Sequence, residues 1–190
     1  MRTLWPLVAL ATPWIGGACA PPPDGSGDAT AGDAAPRDAA VECDPARWDP
    51  ASWVPSGEPR VELGTGRDRF ESFEDGATLG LVSGCQGAQH IWTSVRARGL
   101  DPQSPLLEVA VRRDSDGLLM SQVFRVRVSL EPVACTDYAE VVGLTVVIPE
   151  PDLAIGEDLT MRVAITDREE RTASVVRPIR TEWATEGHCF

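Results

Sequence analysis

The stretch Ser83-Gly84-Cys85-Gln86-Gly87-Ala88-Gln89-His90-Ile91-Trp92 carries the residues best suited to chemistry. Its small positions force a tight connection into an extended run. Period-two alternation then places His90, Trp92, Ser94, Arg96 and Arg98 on one face, opposite Ile91, Val95 and Ala97. An indole with a large contact area beside planar guanidinium forks makes His90, Trp92 and Arg96 a candidate surface for a carboxylate, a glycan or a protein. That reading requires Trp92 to be substantially exposed. The competing reading packs Trp92 under a loop and leaves the arginines to solvate the sheet.

Catalysis finds little support. There is no Gly-x-Ser-x-Gly elbow, no P-loop and no His-Glu-x-x-His pair, and neither His90 nor His188 has a motif partner. Asp114-x-Asp116 lacks the further oxygen ligands of a calcium loop and reads as a turn. The chain is therefore expected not to be an enzyme and to need no cofactor or metal. An envelope enzyme and a periplasmic metal-binding protein are the alternatives, the second requiring His90 to approach His188 and a carboxylate. All 17 basic residues are Arg, and the formal net charge is −12. That balance argues against nucleic acid or anionic lipid as a partner, because phosphate contacts need a basic patch.

The five cysteines are Cys19, Cys43, Cys85, Cys135 and Cys189. Arg2 followed by the apolar run Leu4 to Ile15 is too short for a membrane span, which needs about 20 residues, and fits a signal-peptide core. Gly16-Gly17-Ala18-Cys19 resembles a bacterial lipobox, with Gly16 where a Leu is usual. The resemblance implies a signal peptide over residues 1–18 and acylation of Cys19. With no Asp at position 20, it also implies sorting to the outer membrane. The membrane would then be reached through an N-terminal lipid anchor. A plain periplasmic or secreted product is the alternative. An odd cysteine count in an exported chain leaves one thiol over. With Cys19 acylated, four remain for two bridges in an oxidising compartment. Cys43 and Cys189 bracket the body, so of the three connectivities open to four cysteines Cys43–Cys189 with Cys85–Cys135 is the preferred one.

Residues 19–42 form an acidic Ala/Pro/Gly/Asp linker, too poor in large apolar residues to offset its ordering entropy. The body over residues 43–190 reads as all-β. Alternation marks strands around 91–97, 107–111, 124–130, 142–148 and 159–165, and more weakly at 60–63, 79–83 and 172–181. Turn residues such as Asp114-Ser115-Asp116-Gly117 separate them. Short strands with frequent turns point to an immunoglobulin-like β-sandwich of about eight strands. The Cys, Trp and Tyr spacing of antibody domains is absent.

The segment Leu63-Gly64-Thr65-Gly66, Phe70, Asp75-Gly76, Gly84-Cys85-Gln86-Gly87, His90-Ile91-Trp92 and Gly99-Leu100-Asp101-Pro102 resembles uncharacterised lipoproteins of GC-rich Gram-negative bacteria. Cys85 and Ala88 stand where Pro and Gly are usual. The resemblance implies an exported β domain and no established activity; the partner expected from the His90, Trp92 and Arg96 face itself is an envelope protein or a glycan.

Overall fold

The structure, a computed structural model, describes residues 43–84 and 87–185. Alternation of branched apolar and polar residues produces the strands the sequence marks. They are β1 (Arg60–Thr65), β2 (Glu71–Ser72), β3 (Ala77–Ser83), β4 (Gln89–Arg98), β5 (Leu106–Arg113), β6 (Phe124–Arg127), β7 (Glu131–Pro132), β8 (Ala139–Ile148), β9 (Leu159–Thr166) and β10 (Thr172–Trp183). The two-residue strands β2 and β7 are the additions to the eight expected.

All ten belong to one curled sheet. β1, β4, β8 and β7 make one layer, and β10, β9, β5 and β6 make the other. β3 joins the two. Its C-terminal residues pair antiparallel with β4, Leu81 opposite Ile91, while Ala77–Leu81 run parallel to Ile179–Trp183 of β10. The result is all-β and sandwich-like. Between the layers lie Leu81, Ile91, Val95, Leu107, Val111, Leu159, Met161, Ile165 and Ile179, each with almost no solvent exposure. Burying such side chains contributes roughly 1.5–3 kcal/mol apiece, an upper estimate against a compact unfolded chain.

Two details depart from strict alternation. The expected strand over 124–130 stops at Arg127 and forms the outer edge, so Val126 is 36% exposed. In β8 the run Val142, Leu144, Val146, Ile148 does not share one face. Thr93 pairs with Leu144 and Val95 with Val141, so Val142 and Gly143 together oppose Ser94. This bulge turns Val141 and Leu144 inward and leaves Val142 outside the core. Gly143 adopts φ +71°, and a Cβ there would lie 2.5 Å from the Arg67 carbonyl oxygen. The Ser94 hydroxyl donates to the Gly66 carbonyl at 3.0 Å, tying the loop after β1 to the bulge.

The expected cysteine pairing is overturned. Cys43 is bonded to Cys135. β4 and β8 run antiparallel with Gln89 opposite Ile148 and Ala97 opposite Ala139. The β3–β4 turn beside Gly84 and Gly87 therefore sits at one end of this ladder and Cys135 beyond the other. That is roughly 25–30 Å at about 3.3 Å per residue, and a disulfide requires Cα atoms within about 7 Å. Cys85 and Cys189 lie outside the described residues. Their neighbours share one end of the sheet, because parallel pairing sets Leu81 against Trp183 and the Ala184 amide donates to Leu81 at 3.0 Å. If the body carries two bridges, the second is now expected to be Cys85–Cys189. Non-reducing peptide mapping should return that pair, and alkylation of a free Cys189 in the unreduced protein would refute it.

Candidate functional site

The structure brings His90, Trp92 and Arg96 to the outer face of β4, and each is already engaged by its own chain. His90 is only 8% exposed, and its ring meets Trp92 edge-on with centroids 4.7 Å apart. The half-buried Trp92 ring also carries the Arg67 guanidinium 5.7 Å from its centroid. Arg96 stacks 4.2 Å over Phe70 and places its Nε 2.6 Å from a Glu140 carboxylate oxygen. Arg98 repeats the pattern, over Tyr138 at 5.7 Å and bonded to Asp137 at 2.7 Å. Burial lowers the His90 pKa and a hydrogen bond to the Ala88 backbone opposes the shift; the net effect keeps the imidazole neutral at pH 7. Its Nε2 is buried without a hydrogen-bond partner.

The face is therefore built as packing. Gly64 lies under Phe70, where a Cβ would come within 2.6 Å of the ring. Thr65 donates to the Trp92 carbonyl at 2.9 Å. Leu63-Gly64-Thr65-Gly66, Phe70 and His90-x-Trp92 thus explain one another: the loop after β1 closes over β4, and small residues let it approach. We predict that Trp92→Ala lowers stability by about 2–3 kcal/mol, below the 3–5 kcal/mol of a fully buried Trp because the ring is only half-buried. Thermal unfolding reads the result. An unchanged melting temperature would return the ring to a recognition role.

A concave site lies elsewhere. Trp53, Pro55, Asp101, Pro102, Gln103, Glu169 and Arg171 line a cleft of about 410 Å³. The indole packs partly against the core, and its Nε1 donates to the Thr136 carbonyl at 3.1 Å, next to the Cys43–Cys135 bridge. Bridge and hydrogen bond together fix the N-terminal arm that brings the indole to the cleft. The opposite wall depends on Asp167, whose side chain is fully buried. It accepts from the amides of Asp101 at 3.1 Å, Glu169 at 2.9 Å and Arg171 at 3.0 Å, and from Arg171 Nε at 2.9 Å. Burial alone would raise its pKa, but these donors and the Arg171 charge hold it below the usual carboxylate range. Arg168 meets Asp101 at 2.7 Å.

Neither Trp53 nor Asp167 stood out in the sequence. Trp53 precedes the first strand without periodicity, and Asp167 looks like any turn acid. The only available signal was the Gly99-Leu100-Asp101-Pro102 segment, whose last two residues line the cleft. Asp116 serves its turn, accepting from Arg113 and the Leu118 amide, which lower its pKa to about 2. Among the described residues no cluster of three His, Cys, Asp or Glu side chains could hold a metal ion. His188, the other histidine considered as a ligand, lies outside them.

In comparison with known proteins, no family model, no curated protein and no solved structure matches this chain.

Proposed function

We propose that the chain is a lipid-anchored cell-envelope protein whose disulfide-bonded β body acts as a binding module, with the Trp53 cleft as its ligand seat. The observation that carries this reading is the Cys43–Cys135 bridge. A structural disulfide supports passage to an oxidising compartment, the destination implied by the expected leader over residues 1–18. The strand order supports an immunoglobulin-like reading of the body. What supports it is that β7-β8-β4, continued by the joining strand β3, and β10-β9-β5 follow an order like that of the two immunoglobulin sheets, with β1 beside β4 and β6 at the second layer's edge as departures. An indole held edge-on by a backbone carbonyl, two prolines and a few polar side chains suits a glycan or an exposed protein loop.

Intact mass measurement of the mature chain tests the anchor. It should begin at Cys19 with a diacylglyceryl group, and Cys19→Ala should move the protein from the membrane to the soluble fraction. A mature chain that begins elsewhere, or carries no acyl group, would refute it.

A further inference from the structure

The outer face of the second layer is chemically unlike the rest of the molecule. Strict alternation turns Arg112 of β5, Arg162 of β9 and Arg180 of β10 to solvent, with Arg125 and Arg127 on the adjoining edge strand β6. Ala110 faces Arg162 across β5 and β9, and Ala164 faces Glu108, so alanines lie between the charged side chains. Val176, directly opposite Arg162 on β10, is 53% exposed.

Two of these arginines have carboxylate partners: Arg125 meets Glu108 at 3.2 Å and Arg180 meets Asp158 at 2.6 Å. The other three do not. Arg112 and Arg127 donate only to the carbonyls of Gly117 and Ser104, each at 2.9 Å, and Arg162 has no partner among the described residues. On the opposite layer, by contrast, Arg96 and Arg98 are both neutralised by acids. Although the chain as a whole carries a net charge of −12, this face also bears Glu108 and Glu182 but presents three guanidinium groups without a carboxylate partner, which gives it, unlike the rest of the molecule, the chemistry to meet an anion.

We propose that this face docks on an anionic phospholipid surface. Guanidinium forks bind phosphate oxygens in paired hydrogen bonds. A sheet face with guanidinium groups directed outward between alanines matches a planar array of headgroups. The exposed valine beside Arg162 suits the apolar margin of such an interface. The idea extends the anchored reading, in which the residues from Ala20 to Glu42 would tether the body to the bilayer, but the face needs no acyl chain to act.

The test uses the exported chain carrying Cys19→Ser, so that no lipid can be attached, and sedimentation with vesicles at low salt. Vesicles of mixed phosphatidylglycerol and phosphatidylcholine should bind it, and pure phosphatidylcholine vesicles should not. Arg112→Gln/Arg127→Gln/Arg162→Gln should weaken binding at least tenfold with little change in melting temperature, and the corresponding triple lysine variant should retain most of it. Arg47→Gln/Arg60→Gln/Arg69→Gln makes the same change in net charge on other surfaces and should bind within twofold of the parent. Equal binding to both vesicle types, or an equal loss in the control variant, would overturn the proposal. Capture by polyglutamate without capture by vesicles would also overturn it and assign the face to an acidic polypeptide. Binding of the Cys19→Ser chain when the natural chain proves unacylated would refute the anchor and leave this surface standing.

Discussion

Cys135→Ser is expected to destabilise the body by about 2–4 kcal/mol, lowering its melting temperature by roughly 5–15 °C. The bridge joins residues 92 apart in sequence. Closing a loop of that length removes about 4–5 kcal/mol of unfolded-state entropy in the chain-entropy model, and residual structure in the unfolded chain reduces the gain. The consequence is also local. The arm from Cys43 reaches the body through the bridge and the Trp53–Thr136 hydrogen bond, and a neutral hydrogen bond alone contributes only about 1 kcal/mol. Without the bridge the arm should open at a fraction of the global cost, loosening the indole wall of the cleft. Urea unfolding of Cys135→Ser, Cys43→Ser and the double variant checks the first point. The double variant should be no less stable than the worse single one, because both remove the same covalent link. Additive losses would mean that each cysteine acts through its own packing.

The long strands were legible because one face of each is buried, and a buried face writes itself into the sequence as a period of two. Leu159 to Ile165 needs no knowledge of its neighbours to be read as a strand. What alternation cannot show is where a second strand inserts an extra residue. The bulge at Val142-Gly143 depends on Ser94 and on the Gly66 loop, which are distant in sequence. The face of β4 illustrates the same limit. Its side-chain direction followed from spacing, but its use did not, because the groups that engage Arg96 are Phe70 and Glu140 from two other segments. Cysteine pairing failed for a related reason. Bracketing residues make an attractive pair on the chain, whereas the length of the β4–β8 ladder decides which thiols can meet. The cleft was hidden most fully, since it is assembled from three loops, and loops carry no period.

Loss of the Asp167 carboxylate is expected to have the largest effect of any single charged side chain. Asp167→Ala should cost about 3–5 kcal/mol, because it strands three backbone amides and a half-buried guanidinium that now converge on one buried group. Asp167→Asn is the sharper test. Its single carbonyl oxygen can serve the Glu169 and Arg171 amides, which bond to one carboxylate oxygen. Its NH₂ group would then face the Asp101 amide and the Arg171 side chain, donor against donor. It should lose about 2–4 kcal/mol at neutral pH. The pH dependence follows from the depressed pKa. The folded state holds the carboxylate ionised below the range in which the unfolded chain protonates, so the unfolded state binds more protons in acid. Its stabilisation is therefore complete above about pH 5 and drains away as pH falls below about 4 and through the folded pKa. The gap between the natural chain and Asp167→Asn should be widest near pH 7, unchanged at pH 5, and smaller at pH 3. Asp101 is also depressed, chiefly by the Gln103 amide and Arg168, but it keeps titrating in both proteins and cancels in the difference to the extent that its own contacts survive. Urea unfolding at those three pH values measures the gap directly. A gap that stays constant or widens from pH 5 to pH 3 would mean that shape, and not the ionised carboxylate, holds the Asp101 loop to the β9–β10 turn.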